Sequence, residues 1–254
     1  MVHAKLLRRM RPAEAFANLL YPPACLLCRA TLPPVPPQGI THPLCRKCLE
    51  AMPRCGPPVC QQCGVGLPGA FDAIARCAVC RNNPRVFEMA RAPWQYQGPV
   101  QDAVRQFKYH RRWRIGRWLA EGMAITAQRS FPLDEVTAVL PVPLHWLARR
   151  LRGRHPSADL ASAVARSLEK PYVPQALRRS RWTRTQTRLG WRQRFQNVHQ
   201  AFIAQGPLVR HRSLLLVDDV LTSGATAEAC ALALKAAGAR RVFVLTAART
   251  PLHR

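Results

Sequence analysis

The sequence predicts an α/β fold built on a parallel sheet, with a cysteine-rich module in front of it. Nine of the ten cysteines fall between Cys25 and Cys80. Beyond them, short apolar runs alternate with segments of helical periodicity, a pattern typical of parallel sheets. Late in the chain, the apolar run Leu214–Val217 leads into two acids and a glycine-containing turn. A length of 254 residues accommodates one such domain and a small accessory module.

The first 24 residues are predicted to form a docking helix. A basic start and a largely apolar stretch over residues 13–21 superficially resemble a signal peptide. However, Glu14 and Asn18 interrupt the apolar stretch, and no small-residue cleavage pattern precedes Pro22. No apolar segment reaches the roughly 18–20 residues that span a bilayer. We therefore expect a cytoplasmic protein without a membrane span.

Eight cysteines form four Cys-x-x-Cys pairs, the spacing at which two thiolates on one turn face a single tetrahedral Zn²⁺. The pairs are Cys25/Cys28, Cys45/Cys48, Cys60/Cys63 and Cys77/Cys80. Sequential pairing gives two ribbon-like sites, and interleaved pairing stays open because spacing does not fix connectivity. Gly64, directly after one pair, permits a turn that points backbone N–H groups at sulfur. We expect residues 25–83 to form a double zinc ribbon with one or two structural zinc ions.

Disulfide bonds and redox chemistry are the alternatives for these cysteines. A chain without a leader segment belongs in a reducing compartment, where such a pattern more often binds metal. A redox Cys-x-x-Cys is expected once, beside a βαβ unit, rather than four times before one. Cys55 lacks a partner and is expected to be a free thiol. Cys230 falls on an alanine-rich helix and is expected to lie in the core.

A second domain is predicted over residues 90–254, joined by a linker at residues 81–84. The predicted strands are 91–96, 138–143, 214–221 and 241–248, and the predicted helices are 100–109, 116–127, 160–168 and 226–237. In such sheets, ligands bind beyond the carboxyl ends of the strands. The turn that follows strand 214–221 is therefore the expected binding site.

The residue types in that turn suit a ribose 5-phosphate. The start of the following helix offers unpaired N–H groups and a positive dipole end to a phosphate, and glycine lets the backbone approach it. Two adjacent acids would accept hydrogen bonds from neighbouring sugar hydroxyls. The candidate ligands are Asp218, Asp219, Thr222, Ser223, Gly224, Ala225 and Thr226. The competing interpretation is an ordinary buried strand with a surface acid pair and an N-capped helix.

This turn resembles the phosphoribosyl-pyrophosphate (PRPP) motif of type I phosphoribosyltransferases, and the chain as a whole resembles the ComF family of competence proteins. The matching blocks are the four cysteine pairs, Phe107-Lys108-Tyr109, Pro141-Val142-Pro143, Arg152-Gly153, Arg184-Thr185-Gln186-Thr187 and the Asp218–Thr226 turn. The resemblance implies a double zinc ribbon joined to a type I phosphoribosyltransferase-like domain. It also implies a role in natural transformation, with single-stranded DNA and proteins of the DNA-uptake machinery as partners.

For a working transferase, the resemblance implies Mg²⁺ bridging the ribose hydroxyls and the pyrophosphate of PRPP. Lys108 and Arg152 are the pyrophosphate candidates. The family pattern after Arg-Gly is Phe-Asn-Gln, whereas this chain has Arg154-His155-Pro156. Pro156 removes a backbone donor, so we expect an altered pyrophosphate loop.

The charge of the chain favours a polyanionic partner. Lysine and arginine number 39 against 13 acids, a net charge of +26. Arginines interleave with aromatic residues over 178–195, the usual pattern for binding phosphates and stacking unpaired bases. The candidates for contacting single-stranded DNA are Arg181, Trp182, Arg184, Arg188 and Trp191. The alternatives are a basic loop that closes over PRPP and a solvated arginine-rich surface.

Two hypotheses follow from these patterns. The first is a PRPP-binding, phosphoribosyltransferase-like protein that acts in DNA uptake and contacts single-stranded DNA. The second is a non-enzymatic zinc-ribbon adaptor for nucleic acid, with a vestigial ribose-phosphate pocket. Neither the acceptor base nor the occurrence of turnover is indicated by the residues.

Overall fold

The structure is a computed structural model that describes residues 22–33, 43–69, 75–110, 112–144, 154–180 and 201–252. The chain divides into two compact units, Met1–Met52 and Pro53–Arg254. Several predicted features lie outside the described residues: nearly all of the docking helix, Arg152, and the nucleic-acid candidates Arg181, Trp182, Arg184, Arg188 and Trp191.

The first unit contains one pair of cysteine turns. An antiparallel bridge joins Ala24 to Thr31 and closes the first turn, and the backbone N–H of Leu26 donates to Pro43 O at 2.9 Å. A short helix, α1 (Arg46–Glu50), begins directly after Cys45. These contacts bring the segments around Cys25 and Cys45 together, although they are distant in sequence.

The second unit combines the other cysteine turns with an α/β domain. Its strands are β1 (Met89–Arg91), β2 (Trp94–Gln95), β3 (Ala138–Pro141), β4 (Leu177–Arg179), β5 (Phe202–Ala204), β6 (Ser213–Leu221) and β7 (Arg241–Arg249). Its helices are α2 (Ala78–Asn82), α3 (Pro99–Tyr109), α4 (Trp113–Ser130), α5 (Pro156–Ser167), α6 (Gly206–Val209) and α7 (Ala225–Ala236), with a 3₁₀ turn at Pro174–Ala176.

The main sheet is parallel throughout the described residues. Its strand order is β1-β7-β6-β3, and β2 also pairs with β7. Leu214 of β6 lies between Val242 of β7 and Ala138 of β3. Parallel strands covered on both faces have continuous apolar runs, which explains why Leu214–Val217 is fully buried. The predicted α/β class with a parallel sheet is confirmed.

Helices cover both faces of the sheet. On one face, Leu214 and Val244 join a buried cluster with Leu234 of α7. On the other face, α4 and α5 pack against each other and against the strands, and Phe131 meets Phe243 edge to face, with ring centroids 5.7 Å apart. The sheet is therefore a rigid base for the residues at its carboxyl edge.

Three features differ from the sequence prediction. The single strand predicted over 91–96 is split into β1 and β2, because a proline interrupts the ladder at Pro93. Residues 81–84 are not an open linker: α2 extends to Asn82, and Arg85 is buried. The antiparallel β4–β5 pair has no counterpart in the predicted elements. The remaining predicted helices and strands are confirmed within a few residues.

Within the described segments, none of the helices is both long enough and apolar enough to span a membrane.

Candidate functional site

The turn between β6 and α7 lies at the carboxyl edge of the sheet. Asp218 and Asp219 are still part of β6, and α7 begins at Ala225. Between them, Gly224 adopts φ +81°, a left-handed backbone conformation that residues other than glycine rarely adopt. This glycine turns the backbone sharply into α7, so the acids and the amino end of the helix lie at one edge.

Asp218 is held by two hydrogen bonds. Ser157 Oγ donates to Asp218 Oδ1 at 2.7 Å, and the Asp219 backbone N–H donates to the same oxygen at 2.9 Å. Burial and the neighbouring charge of Asp219 raise the pKa of Asp218 to about 7, although these hydrogen bonds and Lys108 oppose the shift. Asp218 therefore changes its charge near neutral pH, which is unusual for a carboxyl group.

Asp219 forms an ion pair with Lys108. The distance from Lys108 Nζ to Asp219 Oδ1 is 2.7 Å, and both side chains are largely buried, with exposures of 21% and 14%. Burial alone would lower the pKa of Lys108, but the charges of Asp219 and Asp218 and the hydrogen bond outweigh it, so that pKa is raised. The lysine predicted as a pyrophosphate ligand thus contacts the predicted ribose ligand.

Two buried arginines hold the carbonyls of the turn. Arg249 donates to Leu221 O at 3.0 Å and also to Thr222 O. Arg85 Nη2 donates to Ser223 O at 3.2 Å. Charged donors form stronger hydrogen bonds than neutral ones. The carbonyls of Leu221, Thr222 and Ser223 are therefore held by side chains of the sheet domain.

The altered segment after Arg152 begins a helix. His155 is the N-cap of α5, with its Nδ1 3.0 Å from the Ala158 backbone N–H and its Nε2 3.0 Å from the Leu144 N–H. Pro156 occupies the first helical position, where its missing donor has no intrahelical partner to lose. The unexpected His-Pro pair is thus explained as a helix start that places Ser157 against Asp218.

The eight predicted metal ligands form two compact groups. The groups are Cys25, Cys28, Cys45 and Cys48, and Cys60, Cys63, Cys77 and Cys80, with sulfurs within 4.8 Å of one another in each. The Sγ–Sγ separations are 3.8 Å for Cys25–Cys48, 3.5 Å for Cys28–Cys45 and 3.7 Å for Cys63–Cys77. Tetrahedral zinc with Zn–S bonds of about 2.3 Å separates its sulfurs by about 3.8 Å. Both groups fit structural Zn²⁺, and the cysteines pair sequentially.

The thiols of the second group shift one another's pKa values in opposite directions: burial raises the pKa of Cys77, and hydrogen bonds with Cys60 and Cys63 raise that of Cys80. Hydrogen bonds from Cys63 and Cys80, together with backbone N–H groups, lower the pKa of Cys60 despite its burial. Gly64 has φ +68°, as the sequence predicted for a glycine after a cysteine turn. Cys55 belongs to neither group, and burial raises the pKa of its thiol to about 11. Cys230 is fully buried on α7, as expected.

The structure brings together the acids, the turn and Lys108, but it adds residues that the sequence analysis missed. These residues are Ser157, Arg85 and Arg249. Ser157 and Arg85 are separated from the turn by dozens of residues, and Arg249 lies at the end of a strand with an ordinary apolar pattern. The one available signal was an arginine directly after the predicted strand 241–248, which the structure includes as the last residue of β7. Arg249 is 8% exposed.

Comparison with known proteins identifies the cysteine-rich module. Residues 16–82 match the family model described as a double zinc ribbon domain. The match includes all four cysteine pairs. It supports structural Zn²⁺ at the two four-cysteine groups.

Related proteins extend over nearly the whole chain. The "DNA utilization protein YhgH" of Salmonella typhimurium is 32% identical over 237 residues, which is 91% of this chain and 99% of that protein. The protein of the same name from Escherichia coli K12 is 30% identical over 236 residues, with the same coverage. "Competence protein F" of Haemophilus influenzae is 26% identical over 231 residues, 89% of this chain and 96% of that protein.

The α/β domain also has partial matches. "Amidophosphoribosyltransferase" of Haemophilus influenzae is 28% identical over 127 residues, 50% of this chain and 23% of that protein. A solved structure of an allosteric regulatory enzyme of purine biosynthesis covers 52% of this chain and 25% of its own, at 25% identity and a TM-score of 0.36. The full-length relatives, and the zinc ribbon in front of a parallel sheet that ends in an acid pair, place the chain in the ComF family of competence proteins.

Proposed function

We propose that the chain binds PRPP with Mg²⁺ at the carboxyl edge of β6 and acts in DNA uptake, where it contacts single-stranded DNA. The observation that carries the proposal is the geometry of Asp218, Asp219 and Lys108 beside a left-handed turn that opens a helix. That arrangement offers carboxylates for a ribose diol and a helix amino end for its 5-phosphate.

The ribose part of the proposal rests on the two carboxylates. Asp218 is fixed by Ser157 and by a backbone N–H through one oxygen, Oδ1. A carboxylate accepts several hydrogen bonds, so the other oxygen stays able to accept from a sugar hydroxyl. A side chain that is already oriented loses less entropy when the ligand binds. The network around Asp218 thus favours a preorganised diol site.

The phosphate part rests on the turn and on Lys108. The first N–H groups of α7 have no intrahelical partners and carry the positive end of the helix dipole, and Gly224 adds no side chain there. Lys108 compensates Asp219 in the absence of ligand. With PRPP and Mg²⁺ bound, the charge of Asp219 would be compensated by the cation, and the ammonium group of Lys108 would be available to the pyrophosphate oxygens.

The role in DNA uptake rests on the relatives, whose names refer to DNA utilization and competence. Together with a net charge of +26, they support a nucleic-acid partner. The residues predicted to contact single-stranded DNA, Arg181, Trp182, Arg184, Arg188 and Trp191, remain the proposed contacts.

A groove in the described part of the α/β domain supports this partner. Its volume is about 690 Å³, and it is lined by Phe107, Trp113, Arg154 and Arg166 among others. Trp113 presents a large apolar ring that is 64% exposed. An exposed aromatic ring beside an arginine suits stacking on an unpaired base, and Arg154 in the same groove is paired with Asp159.

The adaptor hypothesis is the second candidate, because none of the described residues of the site is identified as selecting an acceptor base. Phosphorus NMR of PRPP with Mg²⁺ and the protein, with and without single-stranded DNA or free nucleobases, separates the two hypotheses. Release of pyrophosphate, lost in Asp218→Asn, is expected of a transferase. Stable PRPP under all of these conditions would favour the adaptor.

PRPP affinity is expected to depend on pH through Asp218. The ionised carboxylate accepts hydrogen bonds from the ribose and attracts Mg²⁺, and burial with Asp219 raises its pKa to about 7. Affinity should therefore increase about tenfold from pH 6 to pH 8. Isothermal titration calorimetry at both pH values measures this, and Asp218→Asn should leave only the smaller change caused by the phosphates of the ligand.

The pH dependence of the free energy of unfolding tests the raised pKa of Asp218 without any ligand. The folded chain holds the proton of Asp218 more tightly than the unfolded chain, so ionisation between about pH 4 and pH 7 lowers the free energy of unfolding. Asp218→Asn removes that loss, and its Tm should exceed the wild-type Tm by a few °C at pH 8 but not at pH 4. A difference that does not change with pH would contradict the raised pKa.

Binding of single-stranded DNA is expected to weaken steeply with salt. Each phosphate contact releases a counterion, so the triple variant Arg181→Ala, Arg184→Ala, Arg188→Ala should reduce the slope of log K against log salt by about two to three. The matched control, Arg129→Ala, Arg210→Ala, Arg240→Ala, removes the same charge from exposed positions. Equal slopes in the two variants would assign the binding to general surface charge.

A further inference from the structure

Arg249 connects the turn of the proposed ribose-phosphate site to the second four-cysteine group. Its Nε donates to Cys63 O at 3.1 Å, and its Nη2 lies 3.8 Å from Cys63 Sγ. Its Nη1 donates to Leu221 O at 3.0 Å, to Thr250 O at 2.9 Å and to Thr222 O. One buried guanidinium thus contacts a metal-ligand residue on one side and the turn on the other.

A second connection runs parallel to the first. The side chain of Gln62, beside Cys63, exchanges hydrogen bonds with the Arg85 backbone: Arg85 N donates to Gln62 Oε1 at 3.1 Å, and Gln62 Nε2 donates to Arg85 O at 2.9 Å. The Arg85 side chain then donates to Ser223 O at 3.2 Å. Both ends of the turn's backbone are therefore held from the same cysteine-containing segment.

That segment is itself seated on the edge of the sheet. The Ala90 backbone N–H donates to Gln62 O at 2.7 Å. A Cβ on Gly64 would lie 2.5 Å from Ala90 O, closer than real Cβ contacts allow. The cysteine turn therefore packs on β1 without intervening side chains, and a shift at Cys63 is not absorbed by a flexible contact.

We propose that Arg249 is a positioning residue that braces the ribose-phosphate turn against the second four-cysteine centre. Four thiolates around Zn²⁺ leave a net negative charge, and a cation hydrogen-bonded to a ligand residue stabilises such a centre from outside. The planar fork of arginine lets one side chain contact Cys63 and the carbonyls of Leu221 and Thr222 at once. The identity of the ligand, a ribose phosphate, rests on the proposed function, whereas the bracing of the turn by Arg249 does not.

The bracing implies reciprocity between the two sites. If the geometry at Cys63 fixes the turn, a ligand that orders the turn must in turn affect the metal centre. The first four-cysteine group belongs to the other compact unit, Met1–Met52, and provides an internal reference. If Arg249 connects the two sites, ligand binding at the turn should change the second four-cysteine centre and leave the first unchanged.

Hydrogen–deuterium exchange of peptides that cover residues 218–228 tests the bracing without any ligand. We expect Arg249→Met to exchange at least about tenfold faster there while metal analysis still finds wild-type zinc. Arg249→Lys should be intermediate, because an ammonium group supplies the charge but not the fork. Arg241→Met, at the other end of the same strand, is the control and should match wild type. Wild-type exchange in Arg249→Met and Arg249→Lys would overturn the proposal.

A spectroscopic test addresses reciprocity in the full chain loaded with ¹¹³Cd²⁺. Cys25→Ser with Cys28→Ser identifies the resonance of the first centre. Adding PRPP and Mg²⁺ should shift the second resonance in wild type but not in Arg249→Met, and should leave the first unmoved. If calorimetry detects no PRPP binding while exchange responds to Arg249, the proposed function fails and the bracing stands. If PRPP binds and the second resonance stays fixed, the reciprocity is contradicted.

Discussion

Asp218→Asn combined with Asp219→Asn is expected to weaken PRPP binding at least about 100-fold in the presence of Mg²⁺. Each lost charge-assisted hydrogen bond is worth about 1.5–3 kcal/mol, and two of them correspond to two or more orders of magnitude in Kd. Asparagine keeps the shape of each side chain, and Ser157 can still donate to the amide oxygen at position 218. The loss should therefore appear in binding while the fold persists.

The control for this pair removes the same charge elsewhere. Asp102→Asn with Asp134→Asn changes two exposed acids of the same domain, and its PRPP affinity should stay within about twofold of wild type. Calorimetry measures both variants, and circular dichroism verifies the fold. An affinity of the Asp218/Asp219 variant equal to that of the control would remove the acid pair from the site.

The second large effect is expected at the second four-cysteine group. Cys77→Ser with Cys80→Ser should lower the zinc content from two ions per chain to one and lower the Tm of the Pro53–Arg254 unit by more than about 10 °C. The buried cluster of this module consists of its four cysteines and Val65, so the metal replaces a hydrophobic core. Structural zinc contributes on the order of 10 kcal/mol to such modules.

Cys55→Ser is the matched control for the loss of a thiol. Cys55 lies in the same unit but outside both four-cysteine groups, so this variant should retain two zinc ions and a wild-type Tm to within a few °C. Differential scanning calorimetry and metal analysis follow both quantities. A Cys77→Ser, Cys80→Ser protein that loses zinc and keeps its Tm would contradict a structural role for that metal.

The sheet could be predicted because its signals are local. Leu214–Val217 is a continuous apolar run, which is characteristic of a strand covered on both faces, and Gly224 marks the turn that the backbone makes at φ +81°. The antiparallel β4–β5 pair escaped prediction because Leu177–Arg179 and Phe202–Ala204 are only three residues long. Strands of three residues contain too few positions for a periodicity to be recognised.

The proposed ligand-binding residues of the candidate site could be predicted from the sequence, but the residues that hold them in place could not. Asp218 and Asp219 follow directly from the motif, and Lys108 from the family resemblance. The hydrogen bond from Ser157 depends on a helix start 61 residues earlier in the chain, and the contact of Arg249 with Cys63 joins positions 186 residues apart. Such contacts are set by packing across the sheet, which sequence spacing does not encode.

The seating of the second cysteine group on the sheet was also missed. The sequence indicated a linker at residues 81–84, because Asn-Asn-Pro is typical of loops. The structure instead buries Arg85 and pairs its backbone with Gln62. A cysteine module that appears separate in sequence therefore contacts the two arginines that hold the turn of the candidate site, which is the physical basis for the bracing by Arg249.

The central claim is that the edge of β6 is a working PRPP site, and isothermal titration calorimetry of the zinc-loaded full chain at pH 8 tests it most directly. The expected result is binding of one PRPP per chain that requires Mg²⁺ and is competed by ribose 5-phosphate. No heat of binding up to millimolar PRPP, with two zinc ions per chain and a folded protein, would contradict the claim and leave the nucleic-acid adaptor as the function of this chain.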